Sequence, residues 1–337
     1  MRKWRNLTLV LALICSLTLF SWGALAESGG PDTEGQVVEL KRPTPDWFTD
    51  ELAQLVAANG VAAAPADAPL PGEVGIRPGS WMISPFWCTM NFVFQNGSRL
   101  GIGTAGHCAK NGDSVTLLTL APGSGNPVLV DIGSTIVSHD GGIGNDFALI
   151  EIKPELHSWV FPTIGAIGGP CGAYAGEGLV SVQNPVKFQG ELIPSTFDLG
   201  DTVYHYGHGV GMGTGGTPRT GATLAWYPDS FTWAGAVYGG DSGSAVRIQD
   251  LKAAGNLTHG LADAFTGLVP LGVGYGTRIT KILSMVSSWS LVNSYAVNGD
   301  TPAMLCPPGT PPTTGGGGGS TGGGGKGGGN GGGKKSR

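Results

Sequence analysis

The sequence predicts an all-β protein. From about residue 76 to residue 297, short apolar segments alternate with turns that are rich in glycine, asparagine and proline. Glycine is abundant, with 61 residues in a chain of 337. Helical spacing of apolar residues is almost absent from this region. Many short strands with glycine turns are typical of a β-sandwich or of paired β-barrels.

Five segments of this region have the composition of strands, and one has the spacing of a helix. A helix is predicted over Ile279–Val292, where apolar residues repeat at helical spacing at positions 282, 283, 286 and 289. The predicted strands are rich in aliphatic and aromatic residues and are bounded by Gly, Asn or Pro. They are Met90–Phe94, Ser114–Leu118, Asp146–Ile152, Leu179–Val182 and Ala245–Ile248.

Residues 1–26 have the organisation of a secretory signal peptide. A basic start precedes an apolar stretch from Leu7 to Phe20, and Ala24-Leu-Ala26 supplies small residues at the expected cleavage position. An uncleaved N-terminal anchor is the alternative. No other apolar run approaches the roughly 20 residues needed to cross a bilayer. The sequence therefore predicts a secreted, extracellular protein with no membrane span.

Residues 27–75 are acidic and rich in Pro and Ala, and we interpret them as a propeptide or N-terminal extension outside the core. A disordered linker is the alternative interpretation. One helix is predicted over Asp46–Ala58, with Asp46 as its N-cap. Its narrow apolar face would consist of Trp47, Leu52, Leu55 and Val56.

The main domain is predicted to span residues 76–306, and the composition changes after it. Residues 307–337 pass from a proline-rich start into glycine repeats and end in Lys334-Lys-Ser-Arg337. A segment of this composition cannot bury enough apolar surface to fold, so we expect it to be disordered. We interpret it as a solvated spacer. Weak contact of its basic residues with an anionic cell surface is the alternative.

The net charge argues against nucleic-acid binding. Loss of Arg2, Lys3 and Arg5 with the signal peptide would change the formal net charge from −5 to −8. Nucleic-acid binding depends mainly on clustered positive charge. An acidic chain of this kind is therefore a poor candidate for a nucleic-acid partner.

The cysteines indicate disulfides rather than a metal site. Cys15 lies in the predicted signal peptide, which leaves an even number of cysteines in an exported chain. No Cys-x-x-Cys pair suggests zinc. Cys88 precedes His107 by nineteen residues and Cys108 follows it directly, so a Cys88–Cys108 disulfide would clamp the loop that carries this imidazole.

A candidate nucleophile lies in the segment Tyr238-Gly-Gly-Asp-Ser-Gly-Ser-Ala-Val246. It places Ser242 between Asp241 and Gly243. The glycines permit an unusual tight turn and leave room for a substrate to approach. Because a serine hydroxyl is a weak nucleophile by itself, it needs a base elsewhere in the chain.

Two further segments supply a base and an acid. Thr104-Ala-Gly-His-Cys108 places His107 after a strand, and Asn145-Asp-Phe-Ala-Leu149 places Asp146 at the start of an apolar strand. An imidazole can accept the hydroxyl proton while a carboxylate holds it in one tautomer. The weaker candidates for the acid lie in glycine-flanked turns: Asp131 and Asp140.

In the order His107, Asp146, Ser242, these motifs resemble the three signatures of the chymotrypsin-like (trypsin-like) serine proteases. Subtilisins and α/β-hydrolases have other orders. The resemblance covers roughly residues 80–295 and is strongest to secreted bacterial members. It implies two antiparallel six-stranded β-barrels with the active site between them, and a C-terminal α-helix.

The resemblance also implies an activity. Ser242 would attack a peptide carbonyl of a protein or peptide substrate, His107 would act as general base and acid, and Asp146 would orient the imidazole. The N–H groups of Gly240 and Ser242 would form the oxyanion hole. No cofactor and no metal are expected. The alternatives are an esterase with the same triad, or a binding module that kept the fold and lost catalysis.

The resemblance places Ala236, Thr258 and His259 in the specificity pocket. Ala236 lies six residues before Ser242, where relatives that cleave after Lys or Arg carry an aspartate. An apolar residue there predicts a preference for apolar residues before the scissile bond. The cysteine pair that often braces this pocket is missing. A second disulfide, Cys171–Cys306, would tie the segment between the barrels to the region after the last helix.

Asp241 is expected to pair with an internal cation, as in the secreted bacterial relatives. His205 lies near the expected position, and we hypothesise that it is this cation. His205 and His208 are three residues apart on a glycine-rich segment, with no third ligand in sight. We therefore predict no metal site there.

Overall fold

A computed structural model of the chain describes residues 36–176, 180–188, 191–197, 201–209, 216–262, 270–295, 305–307, 310 and 313–314. The predicted signal peptide lies outside these residues, as does the basic end of the predicted tail. No helix among the described residues has the length and apolar character required to cross a membrane.

Within the described residues the chain forms nineteen strands, two α-helices and two short 3₁₀ helices. The α-helices are α1 (Asp50–Asn59) and α2 (Ile279–Met285), and the 3₁₀ helices are Gly106–Cys108 and Pro154–Trp159. The strands up to residue 152 are β1 (Gln36–Glu39), β2 (Val61–Ala63), β3 (Trp81–Ser84), β4 (Cys88–Thr89), β5 (Val93–Asn96), β6 (Arg99–Thr104), β7 (Ser114–Leu120), β8 (Pro127–Asp140) and β9 (Asp146–Ile152). The later strands are β10 (Val180–Phe188), β11 (Glu191–Phe197), β12 (Thr202–Gly207), β13 (Thr217–Trp226), β14 (Ser230–Ala234), β15 (Ala245–Ile248), β16 (Ala253–Ala262), β17 (Pro270–Arg278), β18 (Ser290–Leu291) and β19 (Thr313–Thr314).

The first half of the chain forms a curled antiparallel sheet, which we call the N-terminal barrel. Its strand order is β19-β18-β5-β6-β9-β8-β7-β3-β4, and β2 pairs with β8. Residues 90–92 lie between β4 and β5 and form hydrogen bonds on two sides. Met90 N donates to Ser80 O, just before β3, and Asn91 N donates to Gly103 O in β6. One bent segment therefore links the two ends of this sheet.

The second half forms a closed antiparallel ring of six strands, the C-terminal barrel. The ring runs β13-β12-β15-β16-β17-β14 and returns to β13. The hairpin of β10 and β11 extends it at β13, and β1 adds an edge to β16. The predicted all-β architecture with a C-terminal helix is confirmed; the C-terminal sheet closes into the predicted six-stranded barrel, and the N-terminal sheet forms a curled half-barrel.

Each barrel has its own apolar core, and a third cluster joins them. Met82, Ile102 and Ile150 are fully buried in the N-terminal barrel, and Phe231 and Trp233 are buried in the C-terminal barrel. The third cluster packs α2 against the strands of both barrels, which fixes one barrel relative to the other. Its members include Phe94, Phe147, Ala245, Ile279, Ile282 and Trp289.

The predicted strands match the structure closely. β9 and β15 have the predicted bounds, and β7 extends the prediction for Ser114–Leu118 by two residues. The segment Met90–Phe94 becomes a strand only from Val93, because residues 90–92 make the bend. Of the predicted strand Leu179–Val182, Leu179 lies outside the described residues and the remainder begins β10.

The C-terminal helix is shorter than predicted. α2 ends at Met285, whereas the predicted helix ends at Val292. Beyond the helix, Trp289 N donates to Val286 O in a turn, and β18 then pairs with β5. The buried residues Trp289 and Leu291 therefore reach the core from a turn and a strand.

The N-terminal extension contributes to the core, contrary to its interpretation as a segment outside it. Thr49, rather than Asp46, caps α1, because its Oγ1 accepts a hydrogen bond from Leu52 N at 3.3 Å. Gly60, at φ 76°, ends the helix, and β2 then pairs with β8. Three residues of the extension are buried against β3, β7 and β8: Phe48, Val56 and Ala62.

The structure contains both predicted disulfides. Cys88 bonds to Cys108 and Cys171 bonds to Cys306, with Cα–Cα distances of 6.4 and 5.3 Å. The predicted disordered tail is interrupted near its start, since β19 at residues 313–314 pairs with β18. The basic residues of the tail, from position 326 onward, lie outside the described residues.

We expect Val56→Ala to lower the free energy of unfolding by about 2 kcal/mol, because it removes methyl groups that are 99 % buried between the extension and the barrel. Leu55→Ala is the matched control, since Leu55 is the adjacent helical residue and is 49 % exposed. Urea unfolding of the two variants measures the difference. Equal, small effects would mean that α1 does not contribute to the stability of the domain.

Candidate active site

His107 is held at the end of the N-terminal barrel by its own backbone. It lies in the 3₁₀ helix Gly106–Cys108, directly after β6, and the disulfide to Cys88 anchors this helix to β4. Because β6 pairs with β9, the helix lies beside the first residue of β9, Asp146. The N–H groups of Gly106 and His107 donate to Asp146 Oδ1 at 2.5 and 3.2 Å.

Asp146 is fully buried and is held by both barrels. Its Oδ2 lies 2.6 Å from His107 Nδ1. On the other side, Asn256 Nδ2 and Thr277 Oγ1, both from the C-terminal barrel, donate to the Asp146 carbonyl oxygen at 3.1 Å. The carboxylate is therefore fixed in position and in its contact with the imidazole.

Ser242 lies in the turn between β14 and β15, where the backbone conformation depends on glycine. Gly240 and Gly243 have φ values of 101° and 88°, which side chains other than hydrogen disfavour. A Cβ at Gly243 would also overlap Thr104 and Thr89 of the N-terminal barrel. These glycines let the turn press against the N-terminal barrel, and the buried Ser242 Oγ lies 2.7 Å from His107 Nε2.

The three predicted residues thus form one hydrogen-bonded chain. An ionised carboxylate only accepts hydrogen bonds, so we assign the Nδ1 proton of His107 to the bond with Asp146. Nε2 is then the acceptor that faces the Ser242 hydroxyl. The Thr258 carbonyl oxygen, 3.0 Å from Ser242 Oγ, is a second acceptor for this hydroxyl. This arrangement can move the hydroxyl proton onto the imidazole.

Two backbone N–H groups beside Ser242 point at a single oxygen atom. Gly240 N and Ser242 N both donate to the carbonyl oxygen of Leu40, and the Ser242 bond measures 3.2 Å. The predicted oxyanion-hole donors therefore converge, and a residue of the N-terminal extension occupies the position between them.

The architecture consists of two antiparallel barrels. One contributes His107 and Asp146, and the other contributes Ser242. The chain has a chymotrypsin-like fold. Similar solved structures include Protease A of Thermobifida fusca, at 20% identity and a TM-score of 0.39, covering 66% of this chain and 98% of that one. A Cellulomonas bogoriensis chymotrypsin has 18% identity and a TM-score of 0.37, covering 66% and 97%.

A Nocardiopsis protease is similar to the same extent, with 20% identity, a TM-score of 0.38 and coverage of 65% of this chain and 97% of its own. No family model matches the sequence. No curated protein matches it either.

In this chymotrypsin-like fold, the cation that pairs with Asp241, beside Ser242, is Arg219 and not His205. The Arg219 guanidinium contacts both oxygens of Asp241, Nη1–Oδ2 and Nη2–Oδ1, at 2.6 Å. Burial by itself would raise the pKa of Asp241, but the charge and hydrogen bonds of Arg219, together with the Gly209 N–H, hold it below its usual value. Asp241 is therefore ionised, and this fully buried carboxylate forms a bidentate pair with the partly buried Arg219.

His205 cannot supply this charge. Its Nε2 lies 3.8 Å from Asp241 Oδ1, and burial, together with the charge of Arg219, lowers the pKa of His205 to about 3. At neutral pH the ring is therefore uncharged. His208 faces a different group, with Nε2 3.1 Å from Glu73 Oε2 and 2.9 Å from Gly79 O. The two histidines thus have separate partners and do not share a ligand position.

The residues predicted for the specificity pocket are only partly brought together. Thr258 is buried and its carbonyl oxygen accepts from Leu40 N at 3.2 Å, while His259 lies beside His107 with ring centroids 5.7 Å apart. Ala236 is exposed. Its neighbour Val237 is fully buried in the apolar cluster that contains Leu40. Of these two neighbours, Val237 and not Ala236 therefore packs in the cluster with Leu40.

Two residues of the site were missed from the sequence. A signal for Arg219 exists, because it is the one arginine between His107 and Ser242 in the sequence. Leu40 has no comparable signal. Its position depends on the register of β1 against β16, which no local motif specifies.

We expect Arg219→Gln to lower the free energy of unfolding by about 3–5 kcal/mol, because it leaves the buried Asp241 carboxylate unpaired. The double variant Arg219→Gln/Asp241→Asn should recover part of this loss, as measured by urea unfolding. Arg99→Gln is the control, since it removes an ion pair with Glu151 at an exposed position and should have little effect. A small effect of Arg219→Gln would argue against the buried ion pair.

We expect His205→Leu to flatten the loss of stability in acid. In the unfolded chain His205 is protonated below its ordinary pKa of 6.5, whereas the folded ring stays neutral down to about 3. Between these pH values the unfolded state binds more protons than the folded state. The free energy of unfolding therefore decreases as the pH is lowered, by up to about 1.4 kcal/mol per pH unit. The variant should lose this contribution in urea melts from pH 7 to pH 4. The half-buried His157 provides the control His157→Leu; an equal slope in both variants would contradict the assignment.

Proposed function

We propose that the protein is a secreted serine endopeptidase. The observation that carries this proposal is the convergence on Ser242 of two separate features. One is the hydrogen-bonded chain from Asp146 through His107 to Ser242 Oγ, with distances of 2.6 and 2.7 Å. The other is the pair of N–H groups from Gly240 and Ser242 that meet at one carbonyl oxygen. A nucleophile beside an oxyanion site is the arrangement that acyl transfer requires.

The reaction proceeds through an acyl-enzyme. Ser242 Oγ attacks the substrate carbonyl carbon while His107 Nε2 takes the hydroxyl proton. The carbonyl oxygen gains negative charge between Gly240 N–H and Ser242 N–H, and each such donor contributes about 3 kcal/mol in the transition state. His107 then gives its proton to the leaving amine. Water hydrolyses the acyl-enzyme by the same steps, and Asp146 holds the imidazole throughout.

The surroundings of the site support a preference for apolar residues before the scissile bond. Val237 is fully buried beside the site, and a Cβ built at Gly260 would lie 3.1 Å from Val237 Cγ2. The space beside them, which the Leu40 side chain fills, is therefore lined by Val237 and by backbone without a side chain, since Leu40 Cδ2 lies 3.0 Å from the same Cβ position. The transfer of an apolar side chain into such a space is favourable, whereas an unpaired charge is costly there.

Export is part of the proposal. It is supported by the signal-like residues 1–26 and by the two disulfides, since disulfides persist mainly in oxidising compartments. The substrates are then proteins or peptides outside the cell.

We expect a fluorophosphonate probe to label the protein and Ser242→Ala to abolish both labelling and peptide hydrolysis, with kcat/KM lowered by at least about 10³-fold. Ser244→Ala is the matched control, since Ser244 is a buried serine two residues away and its variant should keep both activities. Labelling of Ser242→Ala at the wild-type rate would refute the proposal.

We expect peptide amides that end in Leu or Phe to be cleaved faster than those that end in Lys, Arg or Glu, because the charged side chains would be buried without a partner. A peptide library measures this ratio. A preference for Lys or Arg would show that the pocket holds an acidic group, and hydrolysis confined to esters would favour the esterase alternative.

A further inference from the structure

The N-terminal segment 36–42 lies along the active site in the way that an extended peptide would bind. β1 pairs antiparallel with β16, with Glu39 opposite His259 and Val38 opposite Gly260. The pairing continues past the strand, because Leu40 N donates to Thr258 O at 3.2 Å. Backbone pairing with an exposed strand edge is a general mode of peptide recognition.

Leu40 lies where a peptidase binds the residue before the scissile bond, both with its carbonyl oxygen and with its side chain. Its carbonyl oxygen accepts hydrogen bonds from Gly240 N and Ser242 N. Its side chain is only 4 % exposed and lies in the apolar cluster with Val237. A Cβ built at Gly260 would lie 3.0 Å from Leu40 Cδ2, so the absence of a side chain at position 260 leaves space for this leucine.

The residues that follow Leu40 are bound on the opposite side of Ser242. Arg42 N donates to Trp87 O at 3.1 Å and Trp87 N donates to Arg42 O at 2.9 Å, and the Arg42 guanidinium lies over the Trp87 ring. Lys41 Nζ contacts His107 O at 3.2 Å and Glu39 Oε2 at 2.8 Å. The peptide bond between Leu40 and Lys41 is therefore anchored on both sides of the nucleophile.

We propose that the protein cleaves its own Leu40–Lys41 peptide bond, and that residues 36–40 block the site until this happens. The inference rests on the proposed endopeptidase activity. Ser242 Oγ would bond to the Leu40 carbonyl carbon, and His107 would carry the hydroxyl proton to the Lys41 nitrogen as the C–N bond breaks. Water would then release Leu40 as a carboxylate, which restores the Ser242 hydroxyl.

The two cleavage products differ in how they are held. Residues after Lys41 stay attached, because Phe48, Val56 and Ala62 are buried in the core and β2 pairs with β8. Within the described residues, the segment 36–40 is held by its pairing with β16, by the Leu40 side chain and carbonyl oxygen, and by the ion pair of Glu39 with Lys41. Its departure would free the strand edge, the pocket and both N–H donors together. The processed protein would begin at Lys41 and keep residues 41–75.

The same geometry indicates the class of external substrate. It is an extended peptide that pairs with β16 before the scissile bond and carries a leucine-sized aliphatic side chain at the bond. Because residues 36–40 use the same contacts, an external peptide binds only once they have left.

The test is the N-terminus of the secreted protein. Mass spectrometry of the full chain expressed with its own N-terminus should show a product that begins at Lys41, and Ser242→Ala should keep the Leu40–Lys41 bond intact. Leu40→Asp should reduce cleavage at this bond by at least about 100-fold, because the carboxylate would be buried in the apolar pocket. Leu40→Met, which keeps an aliphatic side chain of similar size, is the matched control and should be processed.

A synthetic peptide of residues 36–44, Gln-Val-Val-Glu-Leu-Lys-Arg-Pro-Thr, separates the inference from the proposed function. The processed wild type should cut it between Leu and Lys and should not cut the analogue with Asp in place of Leu. Purified Ser242→Ala chain mixed with wild type should stay intact at Leu40–Lys41, because its own cleft buries this bond.

Each other outcome has a defined meaning. Hydrolysis of library peptides by a protein whose bond 40–41 remains intact would overturn self-cleavage and leave the endopeptidase proposal standing. Cleavage of that bond in Ser242→Ala expressed alone would assign it to another protease. Absence of fluorophosphonate labelling and of all peptide hydrolysis would instead refute the proposed function itself.

Discussion

The site depends on one constraint, which is the position of the His107 imidazole between a carboxylate of its own barrel and a hydroxyl of the other. Asp146 binds the imidazole and the two N–H groups before it, so ring and backbone are oriented by the same carboxylate. Asn256 and Thr277 of the C-terminal barrel bind the Asp146 backbone in turn. The two barrels therefore meet through hydrogen bonds as well as through the apolar cluster around α2, and a shift between them would break the contact with Ser242.

The ion pair between Asp241 and Arg219 stabilises the turn that carries Ser242. Asp241 accepts hydrogen bonds from Gly209 N and Tyr238 N as well as from Arg219. Burying two charges has a large desolvation cost, which a bidentate pair and further N–H donors can offset. With Asp241 held in this way, the next residue and the Gly240 N–H are fixed in direction. Donors fixed before substrate binds need no reorganisation during the reaction.

The N-terminal extension combines two roles that the chain separates at Leu40. The residues after it complete the hydrophobic surface of the N-terminal barrel, and the residues before it cover the edge of β16. An uncovered strand edge beside an apolar pocket invites unwanted pairing with other chains. Residues 36–40 cover this edge, and the Leu40 side chain packs beside it in the apolar cluster with Val237.

The sequence by itself determined the local features. The composition of the short apolar segments and of the turns that bound them predicted β9 and β15 with the observed first and last residues. The motifs around His107, Asp146 and Ser242 predicted the three side chains that meet between the barrels. These features depend on contacts between near neighbours in the chain, so short motifs record them. The cysteine beside His107 likewise pointed to its partner Cys88.

Only the tertiary structure decided which distant groups meet. Arg219 and not His205 pairs with Asp241, because strand register places the guanidinium against the carboxylate while burial keeps the imidazole neutral. Val237 and not Ala236 is buried in the apolar cluster with Leu40, and Leu40 reaches the N–H groups of Gly240 and Ser242 from 200 residues away in the chain. Each of these outcomes depends on the pairing of strands that are remote in sequence, and a change of one residue in register would point different side chains at the site.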